Sequence, residues 1–278
     1  MKIASLTKIK TRYIFKAILF CIAFTGFFVI LSFVKNYFPD NLERLTHGII
    51  GIIAAFLMTA LFLRIDKKRF SDIGLLINGN TLINFGKGVF TGTLIMGFVA
   101  ICVMYFSSVA FEVNPDSNVL HFFLMTLPLV PLAFMEELGF RGYPLEILKG
   151  KVGIRLSILT TSILFALYHI VCGWTIANAF YGPAVWGLIF GIAAVYSKGI
   201  AMPTGIHYAA NLTTRAFGEA GNTVSIWTVK QSDSMSVNQK GIDWVIILPS
   251  LALLIFAIIC TELYIRNNIA DKGLIEKT

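Results

Sequence analysis

The stretch GVFTGTLIMGFVAICVMYFSSVAF, residues 88–111, runs for 24 positions without a charged side chain. A bilayer core about 30 Å thick is crossed by about 20 apolar helical residues, because each residue advances a helix by about 1.5 Å. The stretch is therefore long enough to span a membrane. Over the whole chain, 56% of the residues are hydrophobic and 14% are charged, and the mean hydropathy is +0.77. Because soluble domains do not have this composition, the sequence predicts an integral, multi-pass protein of the cell membrane.

Further apolar runs extend the same pattern along the chain. Together they predict eight transmembrane helices, at about Tyr13–Val34, Thr46–Phe62, Gly88–Phe111, Val119–Leu138, Leu156–Cys172, Pro183–Ser197, Ile200–Phe217 and Trp244–Tyr264. The sixth has 15 residues and is short for a complete crossing. Since no repeat or soluble linker interrupts the runs, we predict an all-α polytopic helical bundle that forms a single integral domain over residues 1–278.

The cationic side chains give an orientation for these helices. They cluster before the first span, between the second and third, after the fourth and after the eighth. By the positive-inside rule, this pattern predicts that the N and C termini are both cytoplasmic, with the polar segment 218–243 as an external loop. The net charge of +8 lies between apolar runs and forms no basic patch, so no nucleic-acid partner is predicted.

Ionisable side chains inside the spans are the candidates for function, because each costs roughly 2.5–3.5 kcal/mol at membrane depth. The fourth span ends in Glu136, Glu137 and Arg141. At about 100° per helical residue, Arg141 lies about 40° from Glu137 and about 140° from Glu136. We therefore expect Glu137 and Arg141 to pair and Glu136 to stay free as a general base. Gly142–Pro144 predicts a kink or a helix boundary, which would place the carboxylates near a wet cytoplasmic mouth.

Two further pairs have the i, i+4 spacing that places side chains on one helix face. Phe165 and His169 lie in the fifth span, where Phe165 would shield one side of the imidazole, and His207 and Asn211 lie in the seventh. His207 and Asn211 could both donate to one oxygen, as oxyanion stabilisation requires.

Each of these features also has a purely structural interpretation. A buried Glu–Arg pair is often a structural contact, and a lone intramembrane histidine often makes an interhelical hydrogen bond. Two other histidines, His47 and His121, lie near span ends. They are predicted to be interfacial and without a function.

The three segments together resemble the motifs of the CPBP family, the CAAX-protease and bacteriocin-processing intramembrane proteases. The family pattern EExxxR is found at Glu136, Glu137 and Arg141, FxxxH at Phe165 and His169, and HxxxN at His207 and Asn211. The resemblance covers a catalytic core of about 119–217.

The resemblance implies a glutamate-dependent endopeptidase related to the CAAX prenyl endopeptidases. It would hydrolyse hydrophobic or membrane-tethered peptides or proteins of the CAAX, bacteriocin or leader type within the lipid bilayer. Glu136 and His169 would activate water, while His207 and Asn211 would stabilise the oxyanion. Glu137, Arg141 and Phe165 would support the site.

Members of the family are also labelled metalloproteases, so Glu136, His169 and His207 are possible zinc ligands. We favour catalysis that requires no cofactor. Two other classes of function stay open, a non-catalytic immunity or scaffold protein of the membrane and, with less support, a proton-coupled transporter, since buried Glu, His and Arg also form proton relays.

Overall fold

The computed structural model describes residues 2–39, 42–75, 77–106, 109–218, 225–231 and 244–275. The α-helices are α1 (Lys2–Ser32), α2 (Glu43–Ile65), α3 (Gly79–Phe106), α4 (Val119–Thr126), α5 (Leu129–Glu137), α6 (Tyr143–Val152), α7 (Ile154–Val171), α8 (Ile176–Ala179), α9 (Val185–Ser197), α10 (Ala201–Ala216) and α11 (Trp244–Ile275). Short 3-10 helices cover Phe33–Tyr37 and Phe70–Ile73, π-helical turns cover Leu138–Gly142 and Phe180–Ala184, and two strands are β1 (Val109–Val113) and β2 (Trp227–Gln231).

The predicted all-α membrane bundle is confirmed. Within the described residues, seven helical segments are long and apolar enough to cross a bilayer: Thr7–Tyr37, Leu45–Ile65, Gly79–Phe106, Val119–Val152, Ile154–Val171, Ile176–Ser197 and Ile247–Asn268. The sixth predicted span, which had looked short, is part of a run of 22 residues. The remaining predicted span coincides with α10, which has 16 residues.

Strand pairing shows that α10 also crosses. β1 and β2 form an antiparallel ribbon, with Val113 opposite Trp227, so both strands lie on the same face of the bundle. Between them the chain crosses along Val119–Val152, Ile154–Val171 and Ile176–Ser197. A fourth crossing is needed to return to the starting face, and α10 is the helix that precedes β2. Its length of about 24 Å is within what local bilayer thinning accommodates.

The two ends of α10 lie at opposite faces, as a crossing requires. Just before α10, the backbone of Lys198 packs closely on Gly74 in the connection between α2 and α3. Just after α10, the ring of Phe217 lies 4.3 Å from the ring of Phe111 in β1. We call these the basic face and the ribbon face. The basic face also holds the ends of α2 and α6, with Lys67, Lys68, Lys149 and Lys151.

Close helix packing sets the site helices in place. A Cβ atom on Gly88 of α3 would lie 2.1 Å from the carbonyl oxygen of Met202 in α10, so these helices touch through their backbones. Gly51 of α2 allows the same kind of approach, because a Cβ there would lie 1.8 Å from the Met135 sulfur in α5. Met135 immediately precedes Glu136, so α2 packs directly behind the carboxylates.

Two predicted boundaries are wrong. The third span was extended to Phe111, but α3 ends at Phe106 and Val109–Val113 forms β1. The fourth span was ended at Leu138, but the chain continues through a π-turn into α6 and ends at Val152. Pro144 does not break this run, because it lies in the first turn of α6, where its missing N–H has no helical partner. Of the predicted external loop, residues 219–224 and 232–243 lie outside the described residues.

The longer fourth span places the two carboxylates deeper in the bundle than predicted. Glu136 is near the middle of the Val119–Val152 run and not at its end. On the basic side of Glu136, Asp66 pairs with Lys16 and accepts a hydrogen bond of 2.7 Å from the Tyr143 hydroxyl. His169 lies nearer the ribbon face, two residues from the end of α7 at Val171. The predicted position of Glu136 at the end of a span is therefore wrong, because the helical run continues to Val152.

Candidate active site

The Glu-Glu-Arg segment lies where α5 passes into the π-turn Leu138–Gly142. Glu137 and Arg141 are both completely buried, with 0% and 1% of their surfaces exposed. The predicted pair is present, with Arg141 Nη1 donating to Glu137 Oε1 over 3.2 Å. A buried charge needs such a partner, since removal from water costs several kcal/mol per ion.

Arg141 also joins α5 to two other helices. Its Nη2 donates to the carbonyl oxygen of Gly187 in α9 over 3.3 Å. Its guanidinium carbon lies 4.4 Å from the ring centre of Phe165 in α7 and 5.3 Å from that of Phe190 in α9. The flat guanidinium thus fits between aromatic faces, an arrangement that a lysine would not reproduce.

His207 of α10 lies between the two glutamates. Its Nδ1 is 2.9 Å from Glu137 Oε1, and its Nε2 is 3.5 Å from Glu136 Oε2. The imidazole stacks on Phe190, with ring centres 4.6 Å apart and an angle of 13° between the planes. Glu136 does avoid Arg141, as predicted, but it is not free, because His207 faces its carboxylate.

The contacts of Glu137 indicate which nitrogen of His207 carries a hydrogen. Glu137 bonds to both Arg141 and His207, so His207 Nδ1 carries a hydrogen and donates it.

His169 occupies a neighbouring position on α7. Its Nδ1 lies 2.9 Å from the carbonyl oxygen of Phe165, so Nδ1 is the protonated nitrogen of the neutral ring and Nε2 has a lone pair. Phe165, Tyr168 and Trp174 surround the imidazole edge-to-face, with ring centres 4.5, 5.2 and 5.2 Å away. Among the described residues, His169 makes no hydrogen bond to Glu136.

Phe165 connects the two imidazoles. Its ring centre lies 4.5 Å from His169 and 6.0 Å from His207. The ring therefore covers one side of His169, as the sequence predicted, and also supports Arg141. Asn211 lies one turn beyond His207 on the same face of α10 and is partly exposed.

Sequence reasoning missed His47 and treated it like His121. His121 is exposed at the start of α4, as predicted. His47 instead packs edge-on against Phe28, with ring centres 4.8 Å apart, and is close enough to Glu136 for the two side chains to interact electrostatically. The available signal was the small residue Gly51 one turn later, which marks this side of α2 as a tight helix contact.

The zinc alternative requires Glu136, His169 and His207 to converge on one point. Within the part of the chain that the structure describes, no three His, Cys, Asp or Glu side chains form a group able to hold a metal ion. The three residues therefore do not fit a zinc centre in this arrangement.

The part of the chain that holds the site residues also matches a known protein family. Residues 116–213 match the model of the family described as type II CAAX prenyl endopeptidase Rce1-like. This match supports the predicted CAAX-protease family. CAAX prenyl endopeptidases are hydrolases of the membrane, so the predicted family, enzyme class and multi-pass membrane location are confirmed. A search of curated proteins finds no significant match.

The family match runs from the approach to α4 to the last turns of α10. It therefore includes all seven predicted site residues of this CAAX-protease relative, from Glu136 to Asn211. The metalloprotease label is not supported by the match.

Proposed function

We propose that this CAAX-protease relative is an endopeptidase that cleaves hydrophobic or membrane-tethered segments, with Glu136, His169, His207 and Asn211 as its catalytic residues. The observation that carries the proposal is the contact of His207 with two buried glutamates from another helix. An ionisable cluster at this depth is costly, and its members are those that peptide hydrolysis needs.

The first step would be activation of water. Glu136 is the carboxylate that Arg141 leaves unpaired, and His169 offers the lone pair of Nε2. Either group can accept a proton from a water molecule held between them as its oxygen attacks the carbonyl carbon of the scissile bond. The result is a tetrahedral oxyanion on the substrate and a proton on the enzyme.

The second step would be stabilisation of the oxyanion and departure of the amine. A protonated His207 has an N–H at Nε2, and the 3.5 Å separation from Glu136 is long for a hydrogen bond, so this N–H is available to a substrate oxygen. The Asn211 side-chain amide is a second donor on the same face. When the C–N bond breaks, the proton taken from water passes to the leaving nitrogen, and the new carboxylate and amine are released.

Glu137 and Arg141 would act as positioning residues. Glu137 fixes which nitrogen of His207 is protonated, and Arg141 holds Glu137 while bonding to α9. Such supporting contacts hold catalytic groups in a productive geometry without reorganisation during the reaction. The proposed chemistry uses side chains alone, and no step passes through a metal ion.

The substrate class follows from where the site lies. The cluster is buried in a bundle whose outer surface is apolar over seven spanning segments, so a substrate reaches it from the membrane or its edge. We therefore propose a peptide with a hydrophobic or lipid-attached segment, either CAAX-like or of the bacteriocin or leader type.

The test is cleavage of a hydrophobic membrane peptide by the purified protein in liposomes, with products identified by mass spectrometry. Wild type should release two peptides from one site, and E136A and H169A should release none while keeping the wild-type unfolding midpoint. H121A is the matched histidine control and should cleave like wild type, because His121 is exposed away from the cluster. Cleavage by E136A and H169A at the wild-type rate would refute the assignment, and pH-driven flux without product peptides would indicate a transporter.

A further inference from the structure

The β-ribbon lies beside the candidate active site. Asn211 is six residues before Phe217, which corresponds to about 9 Å along α10. The Phe217 ring is covered by Phe111 of β1, at 4.3 Å, and by Trp227 of β2, at 5.0 Å. The ribbon is thus fixed over the end of the helix that holds two of the proposed catalytic residues.

Among the residues that the structure describes, the outer edge of β1 has backbone groups without a hydrogen-bond partner. The N–H of Asn114 bonds to the carbonyl oxygen of Ile226, and the register places Val113 opposite Trp227. Bonding alternates along an antiparallel pair, so the N–H and C=O groups of Phe111 and Val113 point away from β2.

The sequence of β1 gives its outer edge little protection. Exposed edge strands are commonly blunted by charged side chains, above all lysine, or by proline, which oppose pairing with another chain. Residues 109–113 read VAFEV and contain neither lysine nor proline, with Glu112 as their one charged residue. Ala110 and Val113 are exposed, Val113 by 69%. A two-stranded ribbon is also marginally stable alone, and a third strand would stabilise it.

A membrane substrate needs new hydrogen-bond partners for its backbone at the point where it is cleaved. A peptide bond inside a helix is shielded, so a hydrophobic substrate must become extended around the scissile bond and give up its helical hydrogen bonds. Unsatisfied backbone groups cost several kcal/mol each near a membrane core. The edge of β1 can replace those bonds, and three extended residues at about 3.3 Å each cover the distance from Phe217 to Asn211.

We propose that the outer edge of β1 binds the extended segment of the substrate as a third strand and leads it to Glu136. This inference rests on the proposed function, since the occupant is the peptide to be cleaved. It assigns a role in substrate binding to Phe111 and Val113 through their backbone, with strand-addition hydrogen bonds supplying the affinity.

The test compares V113P with V113T in the full-length protein in liposomes, on a membrane peptide that wild type cleaves. Both variants replace the side chain, but only proline removes the outward N–H, and an edge position tolerates it. V113P should show a kcat/KM about 2- to 12-fold below that of V113T, mainly through KM, for one lost hydrogen bond. Equal values for the two variants would overturn the proposal.

A second measurement does not depend on how V113P folds. N-methylation of single substrate residues near the cleavage site should lower cleavage by wild type at every second position, because alternate N–H groups face β1. An effect without this alternation would overturn strand addition. A V113P variant that loses self-association but keeps the kcat/KM of V113T would show that the edge binds a second copy of the chain. Absence of any cleavage by wild type would refute the proposed function itself, and with it the occupant of the edge.

Discussion

Replacement of Arg141 by methionine tests the buried charge cluster. Arg141 is 1% exposed, donates to Glu137 over 3.2 Å and to Gly187 over 3.3 Å, and faces the Phe165 ring at 4.4 Å. Methionine has a similar length, so the cavity term is small and the main loss is the charge. Glu137 would then be buried with His207 as its remaining partner. Breaking a buried pair in this way costs about 3–5 kcal/mol.

The assay is unfolding of the purified protein in detergent micelles, with wild type, R141M, E137Q and E137Q/R141M compared. The double variant removes the uncompensated carboxylate, and Gln at position 137 still accepts from His207. It should therefore be about 1–3 kcal/mol more stable than the sum of the single losses predicts. An R141M variant within about 1 kcal/mol of wild type would refute the reasoning, as would simple additivity, since both outcomes would mean that the charges of Glu137 and Arg141 are not coupled.

Three further predictions address packing, catalysis and metal. G88A should lose about 1–3 kcal/mol of stability, because its Cβ would lie 2.1 Å from the Met202 carbonyl oxygen. The control G86A has open space around the added atom and should unfold at or above the wild-type midpoint. Equal midpoints for the two variants would contradict the α3–α10 contact. N211A should raise the activation barrier by about 2.7–4 kcal/mol, measured as a fall in kcat; an unchanged kcat removes Asn211 from the oxyanion role. Protein stripped by a strong chelator should keep full turnover with negligible bound zinc by elemental analysis, whereas loss of activity that zinc restores would establish the metal mechanism.

Local geometry was enough to predict part of the site. The Glu137–Arg141 pair and the shared face of His207 and Asn211 follow from helical periodicity alone, because residues four apart are neighbours on one helix. The contact between His207 and Glu137 joins residues 70 positions apart. It depends on how α10 packs on α5, which no local pattern encodes. His47 is a different case, because Gly51 one turn later marks its side of α2 as a tight helix contact.

Hydropathy predicted the spanning helices but not where each one ends. Residues 107–111 are mostly apolar and continue the third span in composition, yet Val109, Phe111 and Val113 have the alternation and β-branched character of a strand. A short apolar run can form either structure, and pairing with β2 decides between them. The fourth span continues past its predicted end because Pro144, which favours a kink or boundary within a helix, is accommodated in the first turn of α6.

The most direct test of the central claim is cleavage in water enriched in oxygen-18, with wild type and E136Q compared by mass spectrometry of the products. If Glu136 deprotonates the attacking water, wild type places one heavy oxygen in the newly formed carboxylate, and E136Q, which keeps the shape of the side chain, forms no product. Product from wild type without the heavy oxygen, or labelled product from E136Q at the wild-type rate, would contradict the account.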